Sequence, residues 1–214
     1  MMVSMSDGPG PTRPRRPVGR PRRSSAEMLA DAAAELFLEN GYARTTVDDI
    51  ARRAGVSRGT FFNYFEAKSD LFWLDLDESL AGLDELLRAS SSLSPVRAVE
   101  AALVALAEAH DPERVPWALT QSEAMALGDD LVASAAVRFV RQQAVVASYV
   151  AERTGRDRPD LSAQVVGSTL VAAASAAVAT WARAGVSRGG LGPVVAAAVG
   201  PVADGLAARE ARSA

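Results

Sequence analysis

The sequence predicts an all-α chain: a small N-terminal three-helix domain with a helix-turn-helix, followed by a larger helical body. Three observations lead there. Of 214 residues, 49% are hydrophobic, mostly Ala, Val and Leu, and the apolar positions recur at spacings of three and four, the period of one helix face. Helix-start and helix-stop residues bracket those patterns. There is no cysteine and a single histidine, His110, so neither a disulfide framework nor a Cys/His metal cluster organises the fold. The net charge of −3 is unevenly spread. Residues 1–68 hold 11 Arg or Lys against 8 Asp or Glu, and residues 69–214 hold 12 against 18. A basic end on an acidic body is the pattern of a nucleic-acid-facing segment joined to a domain with another task.

Residues 1–23 are expected to form a disordered arm. Five prolines block helix and sheet there, and six arginines face one acid, Asp7. The run 19–23, Gly-Arg-Pro-Arg-Arg, can lie extended in a narrow A·T-rich minor groove, with Arg20, Arg22 and Arg23 drawn to its negative potential. It resembles the Gly-Arg-Pro core of AT-hook peptides. The other reading is a solvated tail. The first residues lack the apolar run of a signal peptide.

Ser24 and Glu27 have capping-box spacing and open the first helix. Leu29, Ala33, Leu36 and Phe37 give it one apolar face, and Gly41 stops it with a positive φ. Thr46 and Asp49 repeat the capping logic for a second, short helix whose inner face is Val47, Ile50, Ala51 and Ala54. Gly55 breaks that helix, Val56 plugs the turn, and Ser57 caps a third helix. A short helix, a Gly-containing turn and another short helix make a helix-turn-helix.

The third helix has two faces. Phe61 and Phe65, four apart, point inward. Arg58, Gly59, Phe62 and Asn63 share a face without apolar continuity, suited to a DNA groove. Arg58 can reach a guanine edge or a phosphate, Asn63 an adenine or a phosphate, and Phe62 a thymine methyl, while Gly59 lets backbone approach closely. Thr60 and Tyr64 flank the face and suit phosphates. Lys68, the chain's one lysine, starts the next helix, where its charge and the free N–H groups of the helix start suit one phosphate. With Thr46 and Ser57 these residues form the expected DNA-contact set. The competing reading is ordinary core with a solvated charged face.

Residues 25–72 resemble the N-terminal domain of the TetR family of bacterial repressors. The resemblance rests on Thr-Val-Asp-Asp-Ile-Ala (46–51), Ala-Gly-Val-Ser (54–57), Gly59, Thr60, Tyr64, Phe65, Lys68 and Leu71. It implies an all-helical homodimer with a DNA-binding domain (24–68) and a ligand-binding and dimerisation domain (69–214). The family usually carries Tyr where this chain has Phe62. The hydroxyl is absent, and stacking on a base or sugar is what remains.

Beyond Lys68 a continuous helix is expected to about residue 89, with the stripe Phe72, Leu76, Leu80, Leu83 and Leu87 joining head to body. In the family such a helix transmits the ligand signal. Asp75, Asp77 and Glu78 beside Trp73 read as a solvated face rather than a metal site, because neither His nor Cys accompanies them. Pro95 starts a helix at its first position, with Val99, Leu103 and Leu106 inside. Pro116 and Trp117 start another. Asp129 and Asp130 are expected to cap a long helix with Leu131, Phe139, Val146 and Val150 inside, and Asp160 to cap the next.

Residues 165–182 carry no charge, yet they hold mostly Ala, Val, Ser and Thr and fall short of the roughly 20 predominantly apolar residues of a membrane span. They read as a tightly packed helix, and a cytoplasmic location without membrane contact is expected. With the last helix, this segment (about 160–184 and 193–210) is assigned to a homodimer interface. The alternative is an intramolecular core.

Trp117, Gln121, Met125, Phe139, Gln142, Tyr149 and Trp181 are candidates for lining a pocket in the body, or else plain core. Arg138 and Arg141 could hold an anionic head group, or else are surface charge. The stretch 61–87 is similar to regulators of the mycofactocin-associated kind, whose C-terminal domain is grouped with acyl-CoA-like ligand binders. An effector of that kind is what this likeness implies. No nucleophile–base pair is visible, so catalysis is not expected, and neither a metal nor a cofactor is assigned. The expected partners are double-stranded DNA, a second copy of the chain and a small-molecule effector, in a ligand-released repressor. The alternative is an architectural DNA-binding protein without ligand control.

Overall fold

A computed structural model describes residues 24–112, 115, 117–120, 128–185 and 188–213. The arm with Arg20, Arg22 and Arg23, the residues Gln121 and Met125, and the side chain of Trp117 lie outside the described residues. Among the described residues every regular element is helical: α1 Ser25–Asn40, α2 Val47–Arg53, α3 Arg58–Phe62, a 3-10 helix Lys68–Trp73, α4 Leu74–Leu80, α5 Leu83–Ala89, α6 Pro95–Glu108, α7 Trp117–Thr120, α8 Gly128–Arg153, α9 Leu161–Arg183 and α10 Leu191–Ser213.

The local signals act as their chemistry dictates. Ser24 Oγ accepts from Glu27 N, and Glu27 returns a carboxylate to Ser24 N at 2.8 Å. Thr46 and Asp49 make the same reciprocal pair. Gly41 and Gly55 hold φ of 79° and 71° at the ends of α1 and α2, where a side chain would be strained. Asp160 caps α9 through Ala163 N. Asp129 and Asp130 do not cap α8 from outside. The helix opens at Gly128 and holds both acids in its first turn, which leaves Asp130 free to reach across to Tyr42.

Two apolar clusters organise the chain. The head cluster joins Leu29, Phe37 and Tyr42 to Ile50, Phe61 and Phe65, and takes in Leu71, Phe72 and Trp73. Phe37 stacks on Phe72 with centroids 5.1 Å apart, and Tyr42 tilts against both rings. The head core therefore runs on to Trp73, five residues past the boundary expected after Lys68. The continuous helix expected from Lys68 to residue 89 is three pieces. Ser69, Leu71, Phe72 and Trp73 are all buried there. The chain winds tighter until Trp73, then continues as α4 and, after Ala81 and Gly82, as α5.

The body cluster is built by α5, α6, α8, α9 and α10 around Leu87, Val99, Val146, Leu170, Val195 and Val199. Two helical segments, Leu161–Arg183 and Leu191–Glu210, reach the length and apolarity of a membrane span. Both pack by one side into this cluster. α8 and α9 approach closely at Gly167, where a Cβ would stand 2.7 Å from the carbonyl oxygen of Gln143. Gly167→Ala should force the two helices apart, and overpacking of this kind costs about 1–3 kcal/mol. For a chain of this size that lowers Tm by roughly 2–4 °C per kcal/mol, which a thermal melt reads.

Candidate nucleic-acid interface and interior cavity

The recognition segment sorts as its spacing demands. Phe61 is fully buried and Phe65 nearly so, while Phe62 and Tyr64 are 47% and 52% exposed. Arg58, Gly59 and Asn63 are exposed beside them. α3 ends at Phe62, so Asn63 is its C-cap and Tyr64 lies in the following turn. The residues expected to contact DNA thus span one helical turn and its exit. The turn swings the chain so that Phe65 returns to the core, and Tyr64 N and Phe65 N both donate to Phe61 O.

The polar groups of this face are already arranged. Ser57 Oγ accepts from Thr60 N at 3.0 Å and lies 2.9 Å from Thr60 Oγ1. Thr46 Oγ1 donates to Asp49 at 2.6 Å. Arg58 pairs with Asp48 at 2.9 Å and lies over the Phe62 ring. Both partners of that pair are exposed, and such pairs hold by only about 0–1 kcal/mol. A phosphate or a guanine edge can therefore take Arg58 at little cost. A Cβ at Gly59 would meet nothing closer than Ser57 Oγ at 3.6 Å. The protein's own packing therefore does not require the side chain to be missing there.

Lys68 stands apart from that face. Its ammonium donates to the carbonyls of Tyr42 (2.7 Å) and Thr45 (2.9 Å) and lies 3.8 Å from the centre of the Tyr42 ring. Burial pulls its pKa below the usual lysine range, with the charge of Asp130 partly opposing. Tyr42 in turn donates to Asp130 at 3.1 Å, and burial, reinforced by that bond, raises its phenol well above the ordinary value. Two of the three ammonium donors of Lys68 thus join the α1–α2 connection to the 3-10 helix.

A cavity of about 400 Å³ lies where the body meets the head, within the range of small-molecule sites. Its wall is almost wholly apolar, with Leu76, Leu80, Leu103 and Val178 prominent, and Trp73 and Trp181 facing it from opposite halves. Of the residues expected to line a pocket, Arg138, Phe139, Gln142 and Trp181 do so. Tyr149 lies outside this cavity: with Arg141 it lines a separate groove of the body, and its hydroxyl accepts from Arg153 at 2.6 Å. Ten residues beyond Phe139 on the same helix is roughly 15 Å along its axis, past the cavity's end. Arg141 is exposed and is not part of the wall. His110 was not foreseen. It lines the cavity, edge-on to Trp181, with Nδ1 3.3 Å from Ser79 Oγ.

Arg138 is neither surface charge nor an open anion site. Only 11% of its side chain is exposed. Nε and Nη2 donate to Asp77 at 2.8 and 2.6 Å, and Nη1 donates to Asp70 at 3.2 Å. The acids that sequence spacing assigned to a solvated face thus include Asp77, which neutralises this guanidinium.

Comparison with known proteins agrees with the architecture. Residues 29–73 match the model of bacterial regulatory proteins of the tetR family, and residues 93–207 match the MftR C-terminal domain. The chain is 32% identical to a putative mycofactocin biosynthesis transcriptional regulator, MftR, of Mycobacterium tuberculosis, over 78% of this chain and 84% of the relative. The chain belongs to the TetR family of transcriptional regulators. That role is non-enzymatic. The regulator TtgR of Pseudomonas putida is 42% identical over 30% of this chain and 31% of its own. The fold is similar to that of Thermus thermophilus FadR, a repressor solved in complex with lauroyl-CoA, with a TM-score of 0.50 and 30% identity over 79% of this chain and 89% of that one. As a TetR-family regulator, the chain joins a helix-turn-helix head to a helical ligand-binding body.

Lys68→Met keeps the stem over Tyr42 and removes the ammonium. It should lower Tm, because two charge-assisted hydrogen bonds of about 1.5–3 kcal/mol each are lost. The slope of log affinity against log salt for duplex DNA should stay unchanged. A slope reduced by about one would instead return Lys68 to the phosphates.

Proposed function

We propose that the protein is a repressor that binds a near-palindromic operator as a homodimer and is released when an acyl-CoA-like effector fills the body. The apolar cavity at the junction of head and body carries this reading, because its occupant touches the helices that hold the head. In a dimer, two copies of α3 enter major grooves about 34–36 Å apart. Arg58, Phe62 and Asn63 meet base edges. Thr46, Ser57, Thr60 and Tyr64 meet phosphates, and Gly59 permits the approach. Arg20, Arg22 and Arg23 follow a flanking minor groove.

The dimer forms through α9 and α10. Each buries one side in the body and leaves small residues outward, among them Ala172, Ala176 and Ala197, which allow close helix contact. The effector class is supported by the lauroyl-CoA held by Thermus thermophilus FadR, the match to the MftR C-terminal domain, and a wall that suits an acyl chain. Binding favours a conformation whose heads no longer fit the half-site spacing, a shift that requires only different affinity for two states. Such a repressor works in the cytoplasm, on the bacterial chromosome.

The test begins with selection of preferred sequences from random duplexes, followed by fluorescence anisotropy. Lauroyl-CoA should weaken binding to the selected duplex at least tenfold, within the usual range of allosteric coupling, about 5–150-fold. In the same assay Asn63→Ala should relax the base preference at one position of each half-site, a discrimination of about 1–3 kcal/mol. Undiminished affinity at saturating lauroyl-CoA would remove this effector.

A further inference from the structure

The cavity and the head share Arg138 and Trp73. Both line the cavity, and both are bonded beyond it. The Trp73 indole N–H donates to Ser134 Oγ at 2.9 Å. Arg138 Nη1 donates to the carbonyl of the same Ser134 at 3.0 Å and to Asp70 at 3.2 Å. The guanidinium also lies 5.4 Å from the Trp73 ring centre. The result is a closed loop: α8 holds Trp73 and Asp70 of the 3-10 helix, and Asp77 of α4, through two of its residues.

Asp70 gives the loop its consequence. One carboxylate oxygen takes Arg138. The other accepts from Glu66 N at 3.1 Å and from Ala67 N at 2.8 Å. Those N–H groups lie immediately after Phe65, the residue that anchors the exit of the recognition segment. Asp70 thus holds the recognition segment with one oxygen and the cavity wall with the other.

Arg138 is also the one permanently charged side chain among the described residues of the wall, and two carboxylates already neutralise it. An anionic group entering the cavity would meet a guanidinium whose charge two carboxylates already offset. The part of the effector that acts inside is therefore an uncharged apolar chain, and its charged portion stays outside. A chain seated against Leu76, Phe139 and Trp73 moves the wall, and hydrogen bonds of this length weaken steeply with small displacements. A nearly buried guanidinium separated from its acids finds little water to replace them.

We propose that Arg138 is the coupling residue of this regulator. An apolar chain in the cavity displaces the wall that carries Arg138, which strains its bonds to Asp70 and Asp77, loosens the cap on residues 66–67 and frees the recognition segment. The inference rests on the reading of the cavity as an effector site.

Its test uses the full chain, with lauroyl-CoA as the probe. Lauroyl-CoA affinity is measured by tryptophan fluorescence, and affinity for the selected duplex is measured with and without lauroyl-CoA. Arg138→Met lies in the cavity wall, so its duplex affinities are compared without lauroyl-CoA and at a concentration that saturates the variant, and their ratio should fall from about tenfold to about one. Arg138→Lys should give an intermediate ratio, since one ammonium cannot reproduce the two-bond grip on Asp77. Asp77→Asn, at a half-exposed position, serves if Arg138→Met does not fold, and should lower the ratio at least twofold. A wild-type ratio in Arg138→Met or in Asp77→Asn overturns the proposal.

If the wild type itself ignores lauroyl-CoA, the effector reading has failed, and amide hydrogen exchange decides the coupling role without any effector. Exchange at Glu66 and Ala67 should be at least tenfold faster in Arg138→Met, or in Asp77→Asn, than in the wild type. Equal protection overturns the proposal.

Discussion

Asp130, Ser134 and Arg138 stand at i, i+4 and i+8 on one helix, and each holds a residue of the DNA-reading half. Asp130 accepts from Tyr42, Ser134 accepts from Trp73, and Arg138 donates to Asp70. Leu131 and Ala135, on the same face, pack on the head cluster. A single turn further on, Phe139 and Gln142 line the cavity. The first half of α8 is thus a rigid bar with the head along one stretch and the cavity along the next. A rigid element contacting both sites is what permits small movements at one to be felt at the other.

The head responds to that bar as a unit because its own parts are tightly tied. Lys68 is drawn into the α1–α2 connection, Asp70 caps the 3-10 helix, and Phe61, Phe65 and Phe72 share one core with Tyr42. Few of these interactions are strong alone, but they leave the recognition segment little freedom independent of residues 68–73. Displacing those residues redirects Asn63 and Tyr64 together. The exposed Arg58–Asp48 pair is the looser element, and it is at the surface where DNA would meet it.

Local chemistry was legible in the sequence, and long-range pairing was not. The capping boxes at Ser24 and Thr46, the positive φ at Gly41 and the inward Phe61 and Phe65 each depend on residues within four positions, so their spacing states the answer. The winding at Lys68–Trp73 was hidden because the stripe Phe72, Leu76 and Leu80 fits an α-helix, while the burial of Leu71 and Trp73 arises from the head and α8. Lys68 at a helix start suits a phosphate by local rules. Its two acceptors lie 23 and 26 residues earlier, and only the fold brings them near. Arg138 and Asp77 are 61 residues apart, so each alone read as surface charge or an open anion site. Tyr149 stands about 15 Å along α8 from Phe139 and roughly 80° round it, and its size and polarity, which suggested a pocket residue, say nothing of where a cavity ends.

The central claim is that cavity occupancy and DNA reading are one equilibrium carried by α8. Linkage makes that claim reciprocal: if lauroyl-CoA weakens operator binding by some factor, the operator must weaken lauroyl-CoA binding by the same factor. The direct measurement is the Kd for lauroyl-CoA, determined for the free protein and for the protein saturated with its operator duplex. The account predicts a Kd about tenfold higher on the duplex. An identical Kd in both states would contradict it, because cavity and head would then be two independent sites on one chain.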